Sequence, residues 1–494
     1  MLSCGLAWPS EVAKQQYDSK TQSDWRRAEK IMRTWRIRRA GILGIALITI
    51  AAGLGLPTVA RAAEKPNFLF IIADDCTFRD IGCYGGQAST PNIDRLAGQG
   101  MRFTHCFQAA PMCSPTRHNI YTGQYPIKTG AYPNHTETYG HIKNITHFMK
   151  PLGYRVALSG KTHIGPRELF TFEYSVKNKN PDLGAVDQLM RECAESDTPF
   201  CLFACSNEPH TPWDKGDASQ YPPASIELPP YIPDTPRVRE GYSRYRAEIT
   251  DCDSQVGQVL ATLESNGLAD NTLVMVVSEQ GNSMPFAKWT CYDSGLQSAM
   301  VVRWPGRVQP GSVCDAMVEY VDITPTFVDL AGGELDPQLD GRSMADLLVG
   351  KSTEHKQYVF GEMTTRGIIN GNDCYPIRSV RSRTHKLILN LKHDQVFTNA
   401  CTKSPEFLSM VAAAEAGNES AQRAVERYQR RPAMELYDVI NDPFEMNNLA
   451  DDPSQAETIA TLRGQLEDWM SSQGDKGIET ELSANEHKKK RKRR

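Results

Sequence analysis

The sequence has little net charge, no internal repeat and no long hydrophobic run. Its 494 residues carry a formal net charge of −4, so the composition does not favour a nucleic-acid-binding protein. The main apolar run, residues 41–56, is shorter than the about 20 residues that span a bilayer. The missing repeat argues against a solenoid or array. What remains is a chain that is 40% hydrophobic and long enough for a large domain and a smaller one.

Residues 33–63 have the features of an export signal. Arg36, Arg38 and Arg39 precede the apolar run, and the small-residue sequence Ala60-Arg61-Ala62 follows it. This order predicts cleavage near Ala62 or Ala63 and an exported protein, either periplasmic or secreted. A membrane anchor is the weaker alternative because the apolar run is short and glycine-rich. No stable membrane insertion is therefore expected of the mature protein.

The two ends of the chain differ in composition from its body. Residues 1–31 are polar and have no place in the export signal, so Met32 is the predicted natural start. Residues 1–31 are then a non-native upstream extension and residues 32–62 the signal peptide. Residues 488–494 are all basic, and residues 481–494 are predicted to form a basic, disordered tail, with attachment to a polyanion as the lesser alternative. Without its two ends the body is acidic, so a cationic pocket would be a local concentration of basic side chains.

The thirteen cysteines would suit disulfide bonds in an exported protein, but their spacing does not assign pairs. Buried hydrophobic cysteines and reduced thiols are the alternatives for most of them. Disulfide pairing is therefore left open by the sequence.

Three continuous apolar runs predict buried strands at residues 67–73, 199–205 and 273–277, each followed by polar residues. Residues 90–100 and 242–266 have helical spacing between these runs. This alternation predicts an α/β fold with a mainly parallel sheet between helices. In such sheets ligands bind beyond the carboxyl ends of the strands, where the polar clusters of this chain lie.

Composition also predicts how the chain divides. A change near residues 341–353 indicates a boundary between a catalytic domain, residues 64–345, and a smaller C-terminal α+β subdomain, residues 353–480. The subdomain is expected to contain a strand at residues 387–391 and helices at residues 406–430 and 455–471. The proline-rich residues 170–239 predict a long ordered loop over the site.

The most specific motif is residues 113–117, which read Cys-Ser-Pro-Thr-Arg and are followed by Thr122-Gly123. A structural cysteine is the ordinary interpretation of a buried Cys, and a five-residue pattern alone can arise by accident. The pattern nevertheless resembles the signature of the sulfatase family, and other motifs of that family follow in chain order. The resemblance implies that a maturation enzyme oxidises Cys113 to formylglycine, whose hydrate supplies two hydroxyls. One hydroxyl attacks sulfur and the other drives release of sulfate, so one hard displacement becomes two easier steps.

Two acidic or amide pairs follow predicted strands and offer hard oxygen ligands for a divalent cation. They are Asp74-Asp75 and Glu279-Gln280, and they match the positions of the family's two metal-ligand pairs. The resemblance implies a calcium ion, with magnesium as the alternative, bound by these four residues and by the oxygen derived from Cys113. The family's second pair is usually Asp followed by Asn or His, so both side chains are longer here. Turn or cap hydrogen bonding is the alternative role for each pair.

Basic side chains complete the resemblance. Residues 160–165 resemble the family's Gly-Lys-Trp-His-Leu-Gly element, which implies that Lys161 binds a sulfate oxygen and that His163 accepts a proton from the diol. Residues 208–212 resemble its Pro-His-x-Pro element and imply that His210 contacts the bridging oxygen. Lys288 occupies the place of a second sulfate-binding lysine and possible leaving-group acid. Arg117 is expected to pair with the Cys113-derived diol and the metal-site carboxylates.

The resemblance extends from residue 67 to about residue 449, where an Asp-Pro…Asn-Leu block looks like the family's C-terminal element. It implies an alkaline-phosphatase-like α/β fold, a smaller C-terminal subdomain and hydrolysis of sulfate monoesters. Residues 160–166 and 228–236 look most like the heparan N-sulfatase (sulfamidase) branch, whereas the surroundings of Lys288 resemble the general O-sulfatase pattern. The expected substrate is therefore a sulfated carbohydrate with an O- or N-linked sulfate.

Two other functions fit part of this pattern. A phosphomonoester or phosphonate-monoester hydrolase shares the fold and can share the cysteine signature, but acts on a substrate of different charge. A sulfated-glycan-binding pseudoenzyme would have lost its metal through the unusual Glu279-Gln280 pair while its basic residues still bound sulfate. The filled nucleophile and acid-base positions favour the sulfatase.

Overall fold

The computed structural model describes residues 65–487 and shows two β-sheets. The first sheet contains β1 to β8, and the second contains β9 to β12. The strands are β1 Asn67–Asp74, β2 Met101–Phe107, β3 Arg155–Gly160, β4 Glu173–Ser175, β5 Phe200–Cys205, β6 Thr272–Glu279, β7 Gln297–Arg303, β8 Ser312–Glu319, β9 Val359–Met363, β10 Ile377–Arg381, β11 His385–Asn390 and β12 Met434–Asp438.

The first sheet has the strand order β4-β3-β5-β1-β6-β7-β2-β8, in which only β7 runs antiparallel to its neighbours. Every residue of β1, β5 and β6 is buried, because helices cover both faces of the sheet. The three apolar runs of the sequence thus form its centre, and the predicted mainly parallel α/β sheet is confirmed.

Helices connect the strands and cover the sheets. They are Pro91–Gln99, Cys113–Thr122, Pro126–Thr129, Ile145–Met149, Leu183–Ser196, Pro236–Ser265, Asp293–Leu296, Ile323–Leu330, Ala345–Leu348, Pro405–Glu415, Glu419–Gln429, Ala456–Gln473 and Ile478–Ser483. The helix predicted at residues 242–266 begins earlier, at Pro236, because the Thr235 hydroxyl caps it by accepting from the Val238 N–H. The helical stretch predicted at residues 406–430 is two helices, which Gly417 separates at φ +91°.

The second sheet is antiparallel, with the order β12-β11-β10-β9. Leu462, Leu466 and Trp469 of the Ala456–Gln473 helix pack in a hydrophobic cluster with residues of this sheet, which confirms a C-terminal α+β subdomain. The exact boundaries of the two domains stay predictions.

Two predicted segments differ in the structure. Residues 170–239 are not one long loop, since β4, the Leu183–Ser196 helix and β5 interrupt them. The longest stretch without a strand or α-helix is residues 206–235, which contains two short 3-10 helices. The prediction of a tail from residue 481 is wrong for residues 481–487, which are helical. The fully buried Glu481 carboxylate anchors them by accepting the N–H of Thr365 at 2.9 Å.

The twelve cysteines within residues 65–487 are all free, and most are buried, which agrees with the alternative of buried hydrophobic cysteines. Across the same residues no helix is both long and apolar enough to cross a bilayer. The predicted signal peptide, its cleavage site, the upstream extension and residues 488–494 lie outside the described residues.

Candidate active site

The polar residues predicted at strand ends meet at one edge of the first sheet. β1 and β6 are adjacent and parallel, with Asp74 paired to Glu279, so the two predicted ligand pairs lie side by side. β3 ends at the same edge, where the Lys161 N–H donates to the carbonyl of Cys205, the last residue of β5, at 3.0 Å. Strand register therefore brings together residues that are far apart in the chain.

The oxygen-rich floor of this site is fully buried. Asp74, Asp75, Glu279 and Gln280 are all inaccessible to solvent. Of these, Glu279 Oε1 and Gln280 Oε1 have no hydrogen-bond partner among the described residues, which is costly for buried polar atoms. A hard divalent cation such as Ca²⁺ prefers oxygen ligands. Three carboxylates and one amide group supply them here, and two of their oxygens are free. The residues present thus suit the predicted ion despite the longer second pair.

Cys113 lies where these buried oxygen ligands meet a cavity. It is the first residue of the Cys113–Thr122 helix, lines the cavity described below and is 2% exposed. Burial raises the pKa of its thiol to about 12. An unmodified thiol is therefore largely un-ionised at neutral pH and is a weak nucleophile.

Arg117 is one turn further along the same helix and is fully buried. Its Nη2 donates to Glu279 Oε2 at 2.5 Å, and its Nη1 donates to the Lys161 carbonyl at 2.8 Å. Burial alone would lower the pKa of Arg117, but the Glu279 carboxylate raises the pKa overall. The permanently charged guanidinium thus joins the Cys113 helix to β6 and to the loop of residues 161–165 that follows β3, here called the lysine loop.

Each predicted lysine pairs with one aspartate of the first ligand pair. Lys161 Nζ forms an ion pair with Asp74. Lys288 Nζ donates to both carboxylate oxygens of Asp75 at 2.7 Å. Lys288 is 2% exposed; its burial acts to lower its pKa, but Asp75 and other nearby acidic groups raise it overall. Burial lowers the pKa of Lys161 to about 7, so Lys288 is the lysine that keeps its charge at neutral pH.

The two predicted histidines differ in their hydrogen bonding. His210 donates from Nδ1 to the Thr211 carbonyl at 2.6 Å, and its Nε2 lies 3.7 Å from Asp75 Oδ2. Asp75 acts to raise the pKa of His210, but burial and neighbouring lysines lower it to about 4. The buried Nδ1 of His163 has no partner within the described part of the chain. Burial lowers the pKa of His163 well below its usual value, so both rings are neutral at pH 7.

A further histidine, His118, holds the lysine loop against the Cys113 helix. Its Nδ1 donates to the Ser114 carbonyl at 2.8 Å, and its Nε2 accepts the N–H of Gly165 at 3.0 Å. Burial lowers the pKa of His118 to about 4. A neutral ring of fixed tautomer therefore connects the two segments that carry Cys113 and Lys161.

These groups open into a cavity of about 680 Å³. Of the predicted residues, Cys113, His163, His210 and Lys288 line it directly, while the carboxylates, Arg117 and Lys161 lie behind them. Sequence reasoning missed other lining residues, which include His135, Trp213, Arg237, Arg244, Ile369 and Glu406. The ring of His135 lies 4.5 Å from that of His163. None of these residues belongs to a motif, and long-range packing alone brings them to the cavity.

Comparison with known proteins gives the same family as the motifs. A family profile described as Sulfatase matches residues 66–333, and one described as N-sulphoglucosamine sulphohydrolase, C-terminal, matches residues 281–423. An ulvan-active sulfatase of Formosa agariphila is 34% identical over 426 residues, which cover 84% of this chain and 81% of the relative. The N-sulphoglucosamine sulphohydrolase of Homo sapiens is 27% identical over 471 residues, covering 83% of this chain and 90% of the relative.

Solved structures agree on the fold. A complex with the substrate D-glucosamine-2-N,6-O-disulfate has a TM-score of 0.63 at 18% identity, covering 84% of this chain and 99% of the other. A 2-O GAG sulfatase has a TM-score of 0.63 at 22% identity, covering 83% and 93%. Since one sulfatase profile spans more than half of the sequence and a named sulfatase is 34% identical over most of it, the chain belongs to the sulfatase family and is a sulfatase.

Proposed function

We propose that this sulfatase removes an O- or N-linked sulfate from a sulfated carbohydrate, using a formylglycine made from Cys113 by a maturation enzyme. The observation that carries the proposal is that Cys113 and Lys288 line one cavity, with Lys161 and the buried carboxylates directly behind them. Buried lysines beside buried carboxylates fit a site that binds a divalent ion through its carboxylates and an anionic substrate through its lysines.

The roles of the side chains follow from their positions. Lys161 and Lys288 are assigned to the sulfate oxygens, because their ammonium groups lie beside Asp74 and Asp75. His163 Nδ1 is buried without a partner among the described residues and is assigned to accept a proton from the nucleophile. The Nε2 of His210, which the Nδ1 bond to Thr211 leaves available, is assigned to the bridging atom, where it donates a hydrogen bond only when the ring is protonated. Lys288 is therefore assigned as the leaving-group acid.

Formylglycine and a bound calcium ion would each add chemistry that the unmodified side chains lack. Hydrated formylglycine supplies one nucleophilic hydroxyl and a second that lets sulfate leave. A calcium ion held by Asp74, Asp75, Glu279 and Gln280 supplies positive charge that offsets the sulfate. The chain's own contribution is to orient both, since Arg117 connects the helix of Cys113 to Glu279 at 2.5 Å.

The names of the relatives direct the choice of substrates. One is named for activity on ulvan and another for N-sulphoglucosamine. The test is a rate panel of ulvan oligosaccharides, N-sulfated and O-sulfated glucosamines, 4-nitrophenyl sulfate and 4-nitrophenyl phosphate, run on protein whose aldehyde content is verified by mass spectrometry. We expect turnover of at least one sulfated sugar and little or none of the phosphate. Faster turnover of the aryl phosphate than of every sulfate would refute the proposal.

Export is part of the same proposal, because sulfated polysaccharides are large substrates outside the cytoplasm. Residues 33–63 carry the signal features described above. N-terminal sequencing of the secreted or periplasmic protein should find a mature chain that starts just after Ala62 or Ala63. A mature chain that starts well before residue 41 would contradict this.

A further inference from the structure

One wall of the cavity carries charged residues that the hydrolysis of sulfate does not use. Arg237 and Arg244 line it from the long Pro236–Ser265 helix, and Glu406 lines it from the Pro405–Glu415 helix. The two helices contact each other closely at Gly241, where an added Cβ would lie 2.9 Å from Glu406 Cγ and 2.7 Å from Met284 Cε. The wall is therefore built on two packed helices and is rigid compared with a loop.

The positive charge of this wall is only partly compensated. Both arginines approach the same oxygen, Glu406 Oε1, with Arg237 Nε at 3.7 Å and Arg244 Nη2 at 3.5 Å. Charge-assisted pairs in proteins are usually about 2.7–2.9 Å long. Arg237 has a second contact, to the exposed Glu240 at 3.2 Å. The Nε of Arg244 is buried and has no hydrogen-bond partner in the described chain.

Another arginine of the same helix shows what a fully bonded guanidinium looks like here. Arg239 donates to both oxygens of Asp234, at 2.6 and 2.8 Å, and to the carbonyls of Pro223 and Ile226. Arg239 thereby fixes the preceding loop. Arg244, by contrast, lines a cavity and has a single long polar contact among the described residues, so it keeps donors free for a ligand.

We propose that Arg237 and Arg244 form a subsite for a second anionic group of the substrate, a carboxylate or a further sulfate. The inference rests on the proposed function and narrows it to saccharides that carry an anionic group besides the sulfate that is removed. The cavity of about 680 Å³ is in the size range of sites that enclose drug-sized ligands, so it has room beyond one sulfate. Trp213 and Ile369 line the same cavity and offer apolar contact to a sugar ring.

The first test compares substrates on the unaltered enzyme. A disaccharide with a uronic acid next to the sulfated sugar is compared with its carboxyl-reduced form, and a disulfated sugar with its monosulfated form. Hydrogen bonds to charged groups contribute enough for an about 10- to 100-fold effect. We expect kcat/KM to be higher by that factor for the member with the additional anion in at least one pair. Equal values within both pairs would overturn the subsite.

The second test uses variants. Arg237→Gln/Arg244→Gln should lower kcat/KM by a similar factor on the preferred anionic substrate, mainly through KM, and leave 4-nitrophenyl sulfate within about twofold. The matched control is Arg423→Gln, because Arg423 lies outside the cavity, its side chain is 72% exposed, and within residues 65–487 it pairs with Glu419 alone. Equal losses on both substrates, or no loss on either, would contradict the subsite. Arg244→Lys, which keeps the charge, should retain part of the preference.

Binding can be measured apart from turnover. In the Cys113→Ala background, calorimetric titration with the same saccharide pair should show tighter binding of the anionic member, and the Arg237→Gln/Arg244→Gln change should remove that difference. If the aldehyde-bearing enzyme hydrolyses no sulfate ester but this difference in binding persists, the proposed function fails and the subsite stands. If hydrolysis proceeds and the difference in binding is missing, the subsite fails and the proposed function stands.

Discussion

At the scale of single residues, the unusual Glu279-Gln280 pair has a physical consequence. The additional methylene of Glu279 lets Oε2 accept from Arg117 at 2.5 Å while Oε1 stays without a partner. One carboxylate can thus hold the guanidinium and still offer an oxygen to an ion. The longer side chain of Glu279 made a metal site doubtful from the sequence. In the structure its length is compatible with contacts to Arg117 and to an ion at the same time.

A prediction on the metal follows from that arrangement. Glu279→Gln removes one negative charge from the floor and leaves the buried Arg117 with only its longer, 3.9 Å ion pair to Asp74. Breaking a buried ion pair costs about 3–5 kcal/mol. We expect a lower unfolding temperature and a higher calcium concentration for half-maximal activity. Both are measured after chelation and stepwise return of Ca²⁺. Zinc is the comparison ion, because a site made only of oxygen ligands should not require zinc. Full activity of the chelated wild-type enzyme would show that the site needs no ion.

A second prediction concerns the nucleophile. Cys113→Ala should abolish turnover and change stability little, because Cys113 is a small side chain at a helix start. Cys113→Ser should be nearly as damaging unless the host matures serine, since a plain hydroxyl lacks the second oxygen. Cys83→Ala is the control, because Cys83 does not line the cavity. Mass spectrometry should find the aldehyde in active preparations only, and equal activity of thiol and aldehyde protein would contradict the mechanism.

At the scale of elements, the Cys113–Thr122 helix and the lysine loop depend on His118. Its pKa falls from a usual value of 6.5 to about 4 on folding, because the ring is buried. Between these pH values the unfolded chain binds a proton that the folded chain does not. The stability that neutral His118 contributes is therefore complete above pH 6.5 and is lost as the pH falls towards 4, by up to about 3 kcal/mol.

The third prediction isolates this contribution. His118→Gln should lose less stability between pH 7.5 and pH 4.5 than the wild type does, although it is less stable at pH 7.5 because Gln cannot reproduce both ring hydrogen bonds. Urea unfolding at the two pH values measures the difference. Activity of the variant at pH 7.5 should fall, since the Gly165 N–H loses its acceptor on the Cys113 helix. Identical losses in the two proteins would mean that other groups account for the acid sensitivity.

The elements also show why some of the site was predictable. Asp74 and Glu279 follow continuous apolar runs, so their place at the end of buried strands is encoded locally. Arg237 and Arg244 come to the cavity through packing of the long helix against Pro405–Glu415, a segment about 160 residues away in sequence. No local pattern marks such a contact. The motifs therefore predict the residues of the reaction, whereas tertiary packing places Arg237 and Arg244 in the cavity wall.

At the scale of the whole molecule, the C-terminal segment reaches back to the loops that line the cavity. The Tyr132 hydroxyl donates to the Thr480 carbonyl at 2.8 Å, next to the loop that carries His135. Glu481 Oε1 accepts from Thr365 at 2.9 Å, at the start of the loop that carries Ile369. The sequence predicted a disordered tail from residue 481 because the basic run dominates its composition, and composition does not reveal buried side chains such as Glu481.

The last prediction uses two truncations of the chain. A chain that ends at Gly474 loses Asp475, which accepts from the buried Arg378 at 2.5 Å, and loses Glu481 with it. An uncompensated buried guanidinium costs about 3–5 kcal/mol, and both cavity loops lose an anchor. We expect a lower unfolding temperature and reduced kcat/KM.

A chain that ends at His487 keeps all these contacts and loses only the basic run, so it should match the full-length protein. Glu481→Ala, which removes the two hydrogen bonds to Thr365, should be intermediate, because each lost bond costs about 1 kcal/mol or more. If the chain that ends at Gly474 were as stable and active as the one that ends at His487, the C-terminal segment would have no part in holding the cavity loops.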